Sequence, residues 1–356
     1  MTATITTADR TAGEPLLRVI DLSIHFPVRG GMFGKKQVVH AVDDVSIEVH
    51  PGETLGVVGE SGSGKTTLAY GVLGHHRPTK GRIEFRGEDV TGWSGERLRD
   101  LRQHMQMIFQ DPYSSLNPRM RIEEVVGEPL IVHHRVSDRA ELRQRVAELL
   151  RLTGMSPAVI DRYPHAFSGG QRQRIGIARA LALEPSLLVA DEPTSALDVS
   201  VQAQVINLMQ ELQERLGLSY LFISHNLAVV RHISHRIAIM YSGKLVEVAP
   251  TAEIFDDPQH PYTRALLSAI PVPDPTTDWH SKRTALSGEI PSPIDPPLGC
   301  RFNTRCPDAV DRCYEESPPL AETSTGHWTA CWLAPTGDQA TSPVALGDPV
   351  RKVGAS

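Results

Sequence analysis

The stretch that most constrains this chain is Gly59-Glu-Ser-Gly-Ser-Gly64-Lys65-Thr66, set between the apolar run ETLGVVG and the helical-looking KTTLAYGVLG. Glycines at these positions let backbone N–H groups turn inward around phosphate oxygens, and the following helix presents its N-terminus to the same anion. Gly59, Ser61, Gly62, Ser63, Gly64, Lys65, Thr66 and Thr67 therefore form a candidate phosphate cradle. Lys65 is placed to reach the terminal phosphates, and the Thr66 hydroxyl to ligate Mg²⁺. A Gly-rich turn with an incidental lysine is the alternative, and the strand–loop–helix context argues against it.

A second apolar run, LLVA, ends in Asp191-Glu192. A carboxylate at the C-terminal edge of a parallel strand lies beside such a cradle, where a Mg²⁺ needs oxygen. The pair divides naturally, with Asp191 orienting the metal and Glu192 acting as general base toward water. Around these runs the pattern alternates strands with helices, which predicts a parallel sheet covered by helices. LLRVIDLSIHFPV and VVHAVDDVSIEVH read as strands by alternation, and HRIAIMYSGKLVEVA as a hairpin turned at Ser242-Gly243. DRAELRQRVAELLRLTG is an amphipathic helix that Gly154 is placed to stop.

The formal net charge of -6 argues against nucleic acid as the main ligand, because backbone phosphates demand a basic surface. The first residues, MTATITTADRTAGEP, have no apolar core of a secretory signal, and no run of about 18 apolar residues suggests a spanning helix. All four cysteines lie between Cys300 and Cys331, spaced C-x₅-C-x₆-C-x₁₇-C. In a reducing compartment such clustering suggests a metal or cluster site before disulfides. The spacing is neither a CxxC zinc ribbon nor a ferredoxin run, so iron–sulfur, zinc and plain thiols stay open.

FSGGQRQRIGIARAL raises the question of why one chain carries a second phosphate-type turn. With Gln110 after MQMIF and His225 after SYLFI, the ordered set resembles the ATP-binding subunit of an ABC transporter over residues 16–248. The resemblance matches the residue 59–66 loop to Walker A, Gln110 to the Q-loop, and Ser168-Gly169-Gly170-Gln171 to the signature. It matches Asp191 and Glu192 to Walker B, Ser195–Asp198 to the D-loop, and His225 to the switch histidine. Phe26 falls where the family sets an aromatic ring against adenine, with a core role as the alternative. One departure is Asn226, where the family often has aspartate after the switch histidine.

What the resemblance implies is a P-loop NTPase cassette of α/β class: a RecA-like core with an antiparallel β subdomain and a helical subdomain. The expected organisation is a disordered start at 1–15 and a cassette at 16–250 with its helical subdomain at about 111–180. A C-terminal extension at 251–333 and a disordered tail at 334–356 follow. ATP and Mg²⁺ are the implied cofactors. Catalysis falls to Glu192, His225 and Gln110, while Ser168 to Gln171, with Asp198 nearby, act on the nucleotide held by a second cassette. HPYTRALLSAIP and GCRFNTRCP resemble the extension of oligopeptide/dipeptide importer ATPases, in the peptide and nickel branch.

That branch implies a second, related ATPase as heterodimer partner, two transmembrane permeases and an extracytoplasmic binding protein, with the chain peripheral on the cytoplasmic face of the membrane. GLSYLFISHNLAVVRHISHRIAIMY is closer to the F-type partner of the two ATPases. Peptide is the expected solute, nickel or another small solute the alternative, and a soluble ABC ATPase the distant one. Some members carry a four-iron cluster, so Cys300, Cys306, Cys313 and Cys331 are candidate [4Fe–4S] ligands by resemblance.

Overall fold

The computed structural model describes residues 13–29, 36–270 and 288–334. The expectations for the extreme N-terminus, for most of the Pro-rich 271–297 segment and for the tail after 334 lie outside the described residues.

Two long strands open the fold, β1 (Leu17–Arg29) and β2 (Lys36–Val49), paired antiparallel as their alternation predicts. With β4 (Lys80–Phe85) and the short β5 (Glu88–Asp89) they make a four-stranded sheet in the order β2-β1-β4-β5. The larger sheet is built around β3 (Thr54–Val58), β6 (Met105–Ile108), β7 (Leu187–Asp191), β8 (Ser219–Ser224) and β9 (Arg236–Tyr241), all parallel. β10 (Lys244–Pro250) returns antiparallel to β9 through a turn in which Ser242 and Gly243 both have positive φ.

Every residue of β3, β7 and β8 is buried, as a parallel strand covered on both faces demands. Successive side chains divide between two cores. Leu187 and Val189 of β7 face the core shared with the four-stranded sheet and α1 (Lys65–Val72), while Leu188 and Ala190 face the helical side. Each such Leu or Val, fully buried, contributes about 1.5–3 kcal/mol of transfer free energy.

The helical side contains α3 (Ile122–Val132), α4 (Arg139–Leu152), α5 (Gly169–Leu181) and α6 (Val199–Leu216). The Asp138 carboxylate accepts from the Glu141 N–H at 2.9 Å and starts α4, and Gly154, at φ +70°, closes it. The strongly polar α2 (Gly95–His104) precedes β6 and buries little besides Leu101. α7 (Leu227–Ile233) follows β8, and its cap is Asn226, whose Oδ1 accepts from the N–H groups of Ala228 and Val229. An asparagine caps as well as an aspartate, which accounts for the departure seen in the sequence.

Beyond β10, the chain forms α8 (Thr251–Asp256) and α9 (Pro261–Ser268), then a cysteine-bearing segment with one helical turn at Arg312–Glu315. It ends in the hairpin β11 (Ala321–Ser324) and β12 (His327–Thr329). β12 pairs with β10, so this hairpin extends the large sheet to the order β11-β12-β10-β9-β3-β8-β7-β6.

Candidate nucleotide site

The loop from Gly59 to Lys65 leaves β3 at its C-terminal end and curls back over the N-terminus of α1. Two of its glycines are required by space. A Cβ at Gly59 would stand 2.1 Å from the Met240 carbonyl oxygen, and one at Gly64 (φ +101°) 2.1 Å from the Ala41 carbonyl oxygen. Lys65 folds back over the loop and is buried. Its Nζ donates to the carbonyls of Gly59 (2.8 Å) and Glu60 (2.9 Å) and, at 3.4 Å, to Ser63 Oγ. Burial pushes its ammonium below the usual range, against the pull of Glu192, Asp191 and Glu60.

β7 delivers Asp191 and Glu192 beside this loop. The Thr66 hydroxyl donates to Asp191 Oδ1 at 3.1 Å. Burial raises the Asp191 carboxyl, Thr66 and Lys65 lower it, and Glu192 adds to the rise. A paired hydroxyl and buried carboxylate is the donor set that a hydrated Mg²⁺ takes in phosphate sites, so the residues fit that ion. Glu192 has a left-handed backbone at φ +45°. Its two carboxylate oxygens face different partners, His225 Nδ1 at 3.0 Å and Gln110 Nε2 at 3.0 Å.

Gly59, Ser61, Gly62, Gly64, Lys65, Thr66, Thr67, Gln110, Glu192 and His225 all line one open cleft of about 660 Å³, and Asp191 reaches it through Thr66. Ser63 is buried beneath the loop. Phe26 is not among the lining residues. Its ring packs edge-on to His76 at 5.1 Å, while its cross-strand partner Val39, with Ala41, forms that wall.

Ser168, Gly169, Gly170, Gln171 and Asp198 do not line the cleft either. Ser168 instead caps α5 in a reciprocal box, its Oγ accepting from the Gln171 N–H and its own N–H donating to Gln171 Oε1. Asp198 begins α6, and the Val199 beside it is 82% exposed. The second phosphate-type turn is thus well formed and is not part of the lining of this chain's own cleft.

Comparisons with known proteins bear on the chain as a whole. A family model described as ABC transporter matches residues 42–195, and one described as oligopeptide/dipeptide transporter, C-terminal region, matches residues 246–313. The oligopeptide transport ATP-binding protein AppF of Bacillus subtilis is 51% identical over 90% of this chain and 98% of its own length. This chain belongs to the ABC transporter family. More narrowly, it is an ATP-binding subunit of the oligopeptide/dipeptide branch. OppF of Salmonella typhimurium is 50% identical over 89% of the chain and 95% of its own length. Among solved structures, the dimeric MJ0796 cassette bound to ADP and Pi superposes with a TM-score of 0.59 at 26% identity, covering 66% of this chain and 98% of that one. The α/β ABC cassette fold and the ATPase activity expected from the sequence are therefore those of its family.

The extension of this ABC ATPase supplies parts of the site that the motifs gave no hint of. Leu266 on α9 and Pro293 also line the cleft, and the His40 N–H donates to the Pro293 carbonyl at 2.8 Å. Arg301 pairs with Asp43 on β2, and Arg305 with Glu60 in the phosphate loop. The clue available in the sequence was the run Cys300-Arg-Phe-Asn-Thr-Arg-Cys306, with two arginines inside one cysteine loop.

The four cysteines are free thiols. Burial pushes Cys300 up to about 11, with the charges of Cys313, Cys306 and Cys331 adding to the rise. The four do not converge tightly enough to grip a single ion. Among the described residues, the three-ligand set within 4.8 Å is His25, His40 and Asp43. Its carboxylate is already held by Arg301 and faces Lys244, a poor setting for a cation. No helix among the described residues is long and apolar enough to cross a membrane.

Proposed function

We propose that this chain hydrolyses ATP to drive uptake of di- and oligopeptides, as one of two ATPase subunits seated on the cytoplasmic face of two permeases that an extracytoplasmic binding protein supplies. The observation that carries the chemistry is the Glu192 carboxylate held between His225 and Gln110 in the cleft that Lys65 also lines. Lys65 and the loop N–H groups hold the β- and γ-phosphates. Thr66 and Asp191 would hold Mg²⁺, which neutralises developing phosphate charge. Glu192 takes the proton of the attacking water, and such general-base help contributes about 10²–10⁴-fold. His225 orients that carboxylate and contacts the γ-phosphate, and Gln110 links the same oxygen pair to the face that meets the permeases.

The peptide assignment is supported by the match of the extension to the oligopeptide/dipeptide model and by the names of the relatives, which are oligopeptide transport proteins. The Ser168 turn, well formed but absent from the lining of this chain's own cleft, supports a pair of cassettes, each capping the other's nucleotide, and a related second ATPase as the partner. ATP binding then closes the pair and hydrolysis opens it, which is the population shift that drives transport. Cys300, Cys306, Cys313 and Cys331 are proposed as iron–sulfur ligands on the family resemblance of the extension, with zinc as the alternative. A cluster there would staple the extension.

Purification from the native membrane in mild detergent, with mass spectrometry of the co-purifying chains, tests this reading. Two permeases and a second ATPase are expected, and labelled oligopeptide uptake should vanish in Lys65→Ala cells. Recovery with ribosomes or DNA and no permease would overturn it.

A further inference from the structure

Glu60, the second residue of the phosphate loop, is gripped at three points. Its carbonyl accepts from Lys65 Nζ at 2.9 Å, within the loop itself. The other two grips come from the C-terminal extension, some 200 residues away in sequence. The Tyr262 hydroxyl on α9 accepts from the Glu60 N–H at 3.0 Å. Arg305 binds the Glu60 carboxylate with both terminal nitrogens, at 2.7 and 3.2 Å, and its Nη1 also donates to the Tyr241 hydroxyl at 3.3 Å.

These groups stand on a rigid base. Tyr241 of β9, Tyr262 of α9 and Phe302 of the cysteine loop are all buried, with ring centroids 4.6–5.4 Å apart. The Arg305 side chain is only 7% exposed, against 27% for Glu60. The guanidinium is therefore fixed from behind and presents its fork to the carboxylate of Glu60, a residue that lines the cleft.

We infer that Arg305 and Tyr262 are positioning residues for nucleotide binding: the extension completes the phosphate loop through Glu60, and ATP affinity depends on that grip. The inference rests on the ATPase reading of the Lys65 cleft. Its physical basis is charge. The cleft already carries Glu192, with Asp191 bonded to Thr66 at its edge, and a third carboxylate, left without its cation, would oppose an incoming triphosphate. Arg305 cancels that charge, and Tyr262 gives the Glu60 N–H near the start of the loop a partner that fixes its turn.

A simple staple holding the extension in place would use the same contacts, and the test separates the two. The full-length protein is titrated with a fluorescent ATP analogue and Mg²⁺. Arg305→Met is expected to weaken binding about tenfold, equivalent to about 1.4 kcal/mol. Arg305→Lys should recover part of the loss, and Tyr262→Phe, which keeps the ring, should cost about threefold. The deciding variant is Arg305→Met with Glu60→Gln, which removes the offending charge and should bind within about threefold of the parent. Unchanged affinity in Arg305→Met overturns the inference. So does a loss that neither Arg305→Lys nor the added Glu60→Gln restores, because that pattern belongs to a staple. Lys65→Ala is titrated alongside. Wild-type affinity in that variant would sink the assignment of the cleft itself, independently of Arg305.

Discussion

His225 Nδ1 lies 3.0 Å from Glu192, and Gln110 donates to the other oxygen of the same carboxylate at 3.0 Å. The carboxylate is thus oriented from both sides, while its backbone holds a left-handed φ of +45° that an ordinary residue avoids. Strain retained at such a position is consistent with a placement that chemistry requires. Glu192→Gln keeps both hydrogen-bonding partners in reach but removes the base. ATP turnover should fall about 10²–10⁴-fold while the nucleotide analogue still binds within about threefold. Parallel loss of binding and turnover would assign Glu192 to the ground state instead.

Gly64 sits at φ +101° with the Ala41 carbonyl oxygen 2.1 Å from any added Cβ. The clash is with backbone on β2, which has no flexible end to yield. Gly64→Ala should abolish measurable ATP-analogue binding and lower the melting temperature, since the left-handed conformation alone costs about 1–2 kcal/mol. Gly62 has φ +79° but open space around it, so Gly62→Ala should be the milder variant. Equal effects at the two positions would argue against the close approach to Ala41.

How much of this was legible follows from range in sequence. The loop at 59–66, the Asp191-Glu192 strand end and the Ser242-Gly243 turn are local patterns, and the structure places them as local patterns predict. α2 was missed because only Leu101 among its residues is buried, which leaves no apolar period to detect. β11 and β12 were missed because strands of four and three residues carry no alternation worth the name. The Arg305–Glu60 and Arg301–Asp43 pairs join residues 245 and 258 positions apart, and no spacing rule reaches that far. Phe26 shows how little one aromatic residue can decide. In the sequence it reads as either an adenine partner or a core residue, and its ring packs edge-on to His76 without lining the cleft.

The hairpin that ends the extension is held by a buried charge pair. His327 Nε2 lies 2.7 Å from Glu247, which is fully buried, and Nδ1 3.2 Å from Glu253. Burial lowers the imidazole, but the two carboxylates outweigh it and the net shift is upward from 6.5. That stabilisation is fully present below about pH 6.5 and is lost as pH rises through the elevated folded value. His260, pushed down to about 4 by burial, works the other way and loses its contribution as pH falls from about 6.5 toward 4. His327→Gln should therefore flatten the decline of melting temperature above pH 6.5 and leave the acid limb in place. A variant whose alkaline limb matches the parent would show that His327 is not charged in the fold.

The cysteine site gives a direct analytical prediction. If the cysteines hold the proposed cluster, protein purified without oxygen should carry about four iron and four sulfide per chain. Cys313→Ser, at the most buried thiol, should lose the metal and loosen the extension, read as faster amide exchange in β11 and β12. Zinc in place of iron, or metal-free protein with an unchanged exchange pattern, would remove the cluster from the reading.

Ser168 separates binding from closure. Its hydroxyl caps α5 but does not line this chain's cleft, and the adjoining Gly170 is pressed against α6, where a Cβ would stand 2.3 Å from Val201. Ser168→Ala forfeits the cap at a cost of about 1 kcal/mol, a small loss for a helix packed on the core. If the turn serves the nucleotide of a partner cassette, the isolated variant should bind the ATP analogue within about twofold of the parent. In the assembled transporter, ATP turnover should then drop about tenfold or more, because one donor to the transition-state phosphate is gone. A weakened affinity in the isolated chain would place the turn on this chain's own nucleotide and contradict a site shared between two cassettes.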